Sequence, residues 1–188
     1  MPKVFLGLLA VVVIGGLAVG GQQLAKRGTK EAVENAIENQ IEASTGTDAQ
    51  VDIKNGNVSV TSSSGTSTAS YGGNVSLPSD FPGDVPTPQG ATLTTAYGGR
   101  ESGKATYGLI YTLSGGVVTN AATTYQNQLQ SAGFAIESTG TYAANGSSVS
   151  GFTATKGIWK VAVAVTSSSD ATNLTLTVTE EAATNMGY

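Results

Sequence analysis

Apolar and polar positions alternate differently in five stretches of the chain. Residues 4–21, VFLGLLAVVVIGGLAVGG, are uncharged throughout. At about 1.5 Å per residue, a helix of that length nearly crosses a hydrocarbon core of about 30 Å. The spacing predicts a transmembrane signal anchor over 1–21. A cleaved signal peptide, with Ala18 and Gly20 as the small residues before the cut, is the alternative, and it would leave a secreted soluble domain. Residues 22–46 read as a helical stalk. Val33, Ala36, Ile37 and Ile41 recur at helical spacing, Arg27–Glu31 and Lys30–Glu34 are opposite charges four apart, and Gly46 is placed to stop the helix. That narrow stripe suits packing on the following domain or a plain extension of the membrane helix. A self-associating or membrane-lying helix is the other role it allows.

The third stretch, 47–76, alternates with period two. In QVDIKNGNVSVTS, Asn55-Gly56 is the preferred pair for a two-residue hairpin turn. It sets Lys54 opposite Asn57, Ile53 opposite Val58, Asp52 opposite Ser59 and Val51 opposite Val60. Val51, Ile53, Val58 and Val60 then share one face. A short third strand is expected at 67–71. Next comes LPSDFPGDVPTPQGA, 77–91, whose prolines forbid helix and disfavour a central strand. Leu77, Phe81 and Val85 recur every four residues there, predicting an extended strap that docks its apolar side chains on a surface. Asp80 and Asp84 read as turn residues beside proline rather than as a calcium or acid–base pair, because no ligand spacing accompanies them.

The last stretch, 92–181, carries the main domain, and 182–188 reads as a tail. Strands are expected at 91–98 and 105–113, with GGRESG as the loop between them. Tyr107, Leu109, Tyr111 and Leu113 should line one face. A helix over 119–134 presents Ala122, Tyr125, Leu129 and Ala132, and ends at Gly133-Phe134 in a Schellman cap. Four strands follow, at 134–142, 149–156, 158–166 and 173–179. In the last two, Trp159, Val161, Val163, Val165, Leu174, Leu176 and Val178 point one way. Lys160, Ala162, Ala164, Thr175, Thr177 and Thr179 point the other. The order β-β-α-β-β-β-β predicts an α+β domain, a mainly antiparallel sheet covered by one helix, preceded by the hairpin.

Composition narrows the function. The chain has no His and no Cys, and its net charge is −4. The absences remove the commonest general base, thiolate chemistry, Cys-based zinc sites and disulfides. The acidic balance argues against nucleic acid as a partner. Phosphate-loop and GxSxG motifs are absent, and Glu180-Glu181 lie on opposite faces of a strand, so no enzyme is expected and no catalytic, cofactor or metal residue is assigned. Asn57, Asn74, Asn145 and Asn173 match the glycosylation acceptor pattern, which such an Asn-, Ser- and Thr-rich chain produces by composition alone.

The apolar N-terminus, the VDI hairpin with NG and the LPSDFPGDVP strap followed by Gly90-Ala91 resemble uncharacterised bacterial membrane-anchored proteins with an LPxDFPxDVP strap. The sequence departs from that pattern at Thr87-Pro88-Gln89. The resemblance implies architecture and location and brings no activity.

The expectation is a single-pass membrane protein with its C-terminal domain outside the cytoplasm, although Lys26, Arg27 and Lys30 favour the opposite orientation by the positive-inside rule. Its partners would be the lipid bilayer through residues 4–21, a protein or glycan of the cell envelope, and a second copy through the N-terminal helix. A subunit of a surface filament or layer is the alternative. So is an accessory subunit of a membrane complex. Tyrosines exposed in a groove would favour glycan binding, and a broad flat face on the sheet would favour assembly.

Overall fold

The computed structural model describes residues 30–45, 48–54, 57–62, 65–71, 75–101, 103–113, 118–144, 147–167 and 172–181. The elements run α1 (Lys30–Thr45), β1 (Ala49–Lys54), β2 (Asn57–Ser62), β3 (Gly65–Tyr71), β4 (Ala91–Glu101) and β5 (Lys104–Leu113). They continue with α2 (Val118–Ser131), β6 (Ala135–Ala144), β7 (Ser147–Lys156), β8 (Trp159–Ser167) and β9 (Thr172–Glu180). The fold is α+β. Among the described residues no helix is long and apolar enough to cross a membrane. The predicted anchor at 1–21 lies outside the described residues, as do 22–29, Asn55-Gly56 and Gly46.

All nine strands join one antiparallel sheet in the order β1-β2-β3-β4-β5-β9-β8-β7-β6. This corrects the expectation of a hairpin followed by a sheet under a single helix. The link is β3, whose residues 67–71 pair with 95–99 of β4. The hairpin register itself is the predicted one, from Lys54↔Asn57 to Val51↔Val60. β5 and β9 meet at the centre, and α2 carries the chain from β5 to the far edge at β6.

Strand registers place the two helices on opposite faces. Tyr107, Leu109 and Tyr111 pair across β9 with Val178, Leu176 and Leu174, and these with Val161, Val163 and Val165 of β8. On this face they form the main core with Tyr125 and Leu129 of α2, Phe134, Phe152 and Val85. Val51, Val58 and Val60 lie on the other face, where they pack with Ile41 of α1 as a second cluster, joined by Ile37, Ile53 and Ala69. Of the predicted stripe of α1, Ile37 and Ile41 thus pack on the adjoining strands, whereas Ala36 is exposed.

α2 ends as its sequence dictates. Gly133 takes φ 88°, and its N–H donates to Gln130 O at 2.9 Å while Phe134 N–H donates to Leu129 O at 2.9 Å. This is the paired bonding of a Schellman cap. The buried stripe is Ala121, Tyr125 and Leu129, with Ala122 and Ala132 partly buried.

The strap crosses the main-core face over β4 and β5. Two successive β-turns build it: Phe81 N donates to Pro78 O at 3.0 Å, and Val85 N to Pro82 O at 3.1 Å. Each turn returns the next apolar residue to the sheet, so Leu77, Phe81 and Val85 all reach the main core. Tyr107 Oη donates to Asp80 O at 2.7 Å and Tyr125 Oη to Pro86 O at 2.8 Å. The predicted GGRESG loop is strand up to Glu101. Its first two glycines serve close approach: a Cβ on Gly98 would lie 2.6 Å from Tyr107 Cδ1 and 3.1 Å from Pro78 Cγ, and one on Gly99 2.5 Å from Ser67 Oγ, while Gly103, at φ 79°, stands in the turn before β5.

Candidate interaction surface

Period-two alternation sends every second residue of β4–β9 away from the main core. On that side cross-strand pairing aligns them in rows. One row runs Thr95, Ile110, Thr175, Ala164, Gly151, Gly140, and the next runs Tyr97, Gly108, Thr177, Ala162, Thr153, Ser138. A third row runs Thr112, Asn173, Thr166, Val149, Tyr142. No described element of the fold packs across these rows, and nearly all their residues are exposed or half-exposed. The surface is free of charge across the three rows. Lys160 and Thr155 begin the charged margin beyond them, where Thr155 Oγ1 donates to Glu137 Oε1 at 3.0 Å and Lys160 meets Glu181 at 3.5 Å.

Two tyrosines sit at different levels on this face. Tyr97 lies over Gly108, where any Cβ would collide with its ring, and burial raises its phenol above the ordinary range. Tyr142 is 70% exposed and Val149, its cross-strand neighbour, is 40% exposed. Between them stand threonine, alanine and glycine residues, so the face is built of small and uncharged polar side chains.

Among the described residues, the charged groups of the main domain gather at one end of the sheet, where the strap crosses. Arg100 Nη1 donates to Glu180 Oε2 and to Gly103 O, both at 3.2 Å, and Glu180 Oε2 also accepts Ala105 N–H at 3.1 Å. Arg100 Nε lies 3.9 Å from Asp80, and Lys156 Nζ lies 3.7 Å from Asp84 and 5.7 Å above the Phe134 ring. Asp80 and Asp84 are each the third residue of a strap turn, the role read from sequence, and each is also held by a cation from the sheet. Exposed pairs of this kind contribute at most about 1 kcal/mol. They position the strap. Among the described residues no group of three or more His, Cys, Asp or Glu is gathered in a way that could hold a metal ion.

The edges of the sheet differ. Along β1, Val51 N–H donates to Glu38 Oε1 and Ile53 N–H to Glu34 Oε1, both at 2.7 Å. Two backbone donors of that edge strand are therefore capped by α1. Lys30 bridges Glu34 at 3.1 Å and Asp52 at 2.9 Å; the Asp52 hydrogen bond, then Glu34, raises its pKa, and Lys30 lowers that of Asp52. Along β6 no described element supplies such caps. Sequence reasoning found the outward residues of β8 and β9 but missed the capping glutamates, which were read only as helix charges.

No protein family, no curated protein and no solved structure matches the chain.

Proposed function

We propose that this chain is a non-enzymatic, single-pass membrane-anchored protein of the cell envelope, whose extracytoplasmic sheet is a binding or assembly module. One observation carries the reading: the uncharged sheet face formed by Ile110, Thr175, Thr177, Ala162, Ala164, Gly151 and their row neighbours, across which no described element packs. Faces of that breadth suit contact with another macromolecule, whereas a small ligand calls for a concave site. The absence of His and Cys from the sequence supports the non-enzymatic part, and the uncharged run at 4–21 supports the anchor.

The test is protease accessibility on intact cells, followed by carbonate extraction of the membranes. The expected outcome is a domain shaved from outside, with the N-terminal fragment retained in the membrane. Protection until the cells are broken would overturn the extracytoplasmic placement, and release of the whole chain by carbonate would overturn the anchor. Ala162→Arg with Ala164→Arg places two charges at the middle of the face. The reading expects this variant to fold, to reach the membrane and to lose its cross-linked envelope partners. Unchanged cross-linking would remove the face from the proposal.

A further inference from the structure

We propose that β6 is a self-complementary edge through which two copies of this chain pair antiparallel about a twofold axis at Thr141. The inference deepens the assembly part of the reading above and rests on it only there. The pairing is measured on purified chain, and location on cells, so either can fail alone.

The two edges of the sheet are treated oppositely. An unpaired edge strand offers a row of backbone donors and acceptors to any other strand, and proteins block such rows when pairing is harmful. β1 is blocked by Glu34 and Glu38, with the Lys30–Asp52 bridge beside it. β6 carries no proline, and among the described residues no side chain caps it. Its bulge, between Ile136 and Ser138, lies at one end of the strand. From Ser138 to Ala144 the strand is uncharged: STGTYAA. Glu137, the one charge in β6, falls outside the span that pairs. A second copy therefore meets no like charge along it, whereas the edge of β1 would bring Asp52 and Lys54.

The register follows from a contact the molecule already makes. On the open face Tyr97 stands opposite Gly108, with its ring filling the space a Cβ would need. Aromatic cover of a strand glycine is a recognised stabiliser of sheet pairing. β6 carries both halves of that contact on the same face and on one strand. Gly140 is exposed with open space above it, and Tyr142, two residues on, is 70% exposed. Antiparallel pairing centred on Thr141 sets each Tyr142 opposite the Gly140 of the other copy. The Tyr–Gly contact then forms twice, as an isologous interface requires. Thr139 stands opposite Ala143, and Ser138 opposite Ala144. The open faces of the two copies join on one side of the continuous sheet. With seven residues a side, the interface belongs to the small, weak class in solution. Tethering both copies to one membrane would raise their effective concentration to the millimolar range.

The chain has no cysteine, so single cysteines report pairing without background. In purified full-length chain treated with a short bismaleimide cross-linker, Thr141→Cys is expected to form covalent dimers, because directly opposed Cβ atoms lie about 4.5–5.5 Å apart, just beyond the span of a disulfide. Gln50→Cys, exposed on the capped β1 edge, is the control and should form few. Equal yields from both positions would overturn the proposal. Sedimentation of the cysteine-free chain gives the second readout. Thr141→Lys, which sets two like charges on the axis at an exposed site, should weaken self-association about tenfold or more while leaving circular dichroism unchanged. Tyr142→Ala should weaken it to a smaller degree. A chain that is monomeric at every concentration, or self-association that Thr141→Lys does not alter, would also sink the proposal.

Discussion

Glycines and tyrosines act in pairs at the scale of single residues. Gly98 lies under Tyr107 and Gly108 under Tyr97, so the rings fill space that another residue's Cβ would occupy. Gly98→Ala is expected to cost about 1–3 kcal/mol in a denaturant titration, the range for overpacking, since Tyr107 is fully buried, hydrogen-bonded to the strap and packed edge-on against Phe81 at 5.4 Å. Gly108→Ala should cost less, because the half-exposed Tyr97 ring can swing outward. Tyr111 Oη is buried without a hydrogen-bond partner among the described residues. Removing it by Tyr111→Phe is expected to raise stability by about 1 kcal/mol, because the desolvation cost of that hydroxyl disappears. Burial pushes the phenols of Tyr107 and Tyr111 up to about 12 and Tyr125 higher still. A phenol whose folded pKa exceeds its unfolded value holds its proton more tightly in the native state. Its contribution is therefore complete below about pH 10 and is lost as pH rises toward 12. Tyrosinate absorbance of these three should appear together with alkaline unfolding, and earlier ionisation without unfolding would contradict the packing described.

At the scale of elements, the strap and α1 are both accessory layers, and they hold to the sheet by different means. The strap is fastened by apolar residues at every fourth position and by two tyrosine hydroxyls donating to its carbonyls. α1 is fastened by Ile41 and by two carboxylates that accept backbone N–H groups of β1. Glu34→Ala and Glu38→Ala should each lower stability by about 1.5 kcal/mol. They should also speed amide exchange at Ile53 and Val51 respectively. Acceleration confined to those amides separates edge capping from a general loosening of the helix. Glu34→Gln and Glu38→Gln, which keep an acceptor oxygen, should restore much of the protection.

At the scale of the whole molecule, the nine described strands carry two unequal cores on opposite faces. Among the described residues the larger contains eighteen buried residues and the smaller four. Leu129→Ala, at the centre of the larger, is expected to cost about 2–5 kcal/mol. Ile41→Ala removes the anchor of α1 from the smaller. It should release α1 and the β1–β3 end, seen as local amide exchange there, while β5, β8 and β9 remain protected.

The sequence by itself determined the local structure. Asn55-Gly56 set the register of β1 and β2, Gly133-Phe134 ended α2, and alternation in β8 and β9 sorted Val161 and Leu176 from Ala162 and Thr177. Each depends on turn chemistry or a two-residue period, which neighbouring residues dictate. The absence of His and Cys likewise bounded the chemistry without any coordinates. Only the tertiary structure decided that β3 joins β4, that α1 and α2 lie on opposite faces, and that Glu34 and Glu38 cap an edge strand. Those depend on pairing between residues far apart in the chain, and a carboxylate on a helix carries no local sign of the amide it will meet. The close contacts of Gly98 and Gly99 in β4 were hidden for the same reason. Gly98-Gly99 looks like a turn until the ring of Tyr107 is seen to need the space.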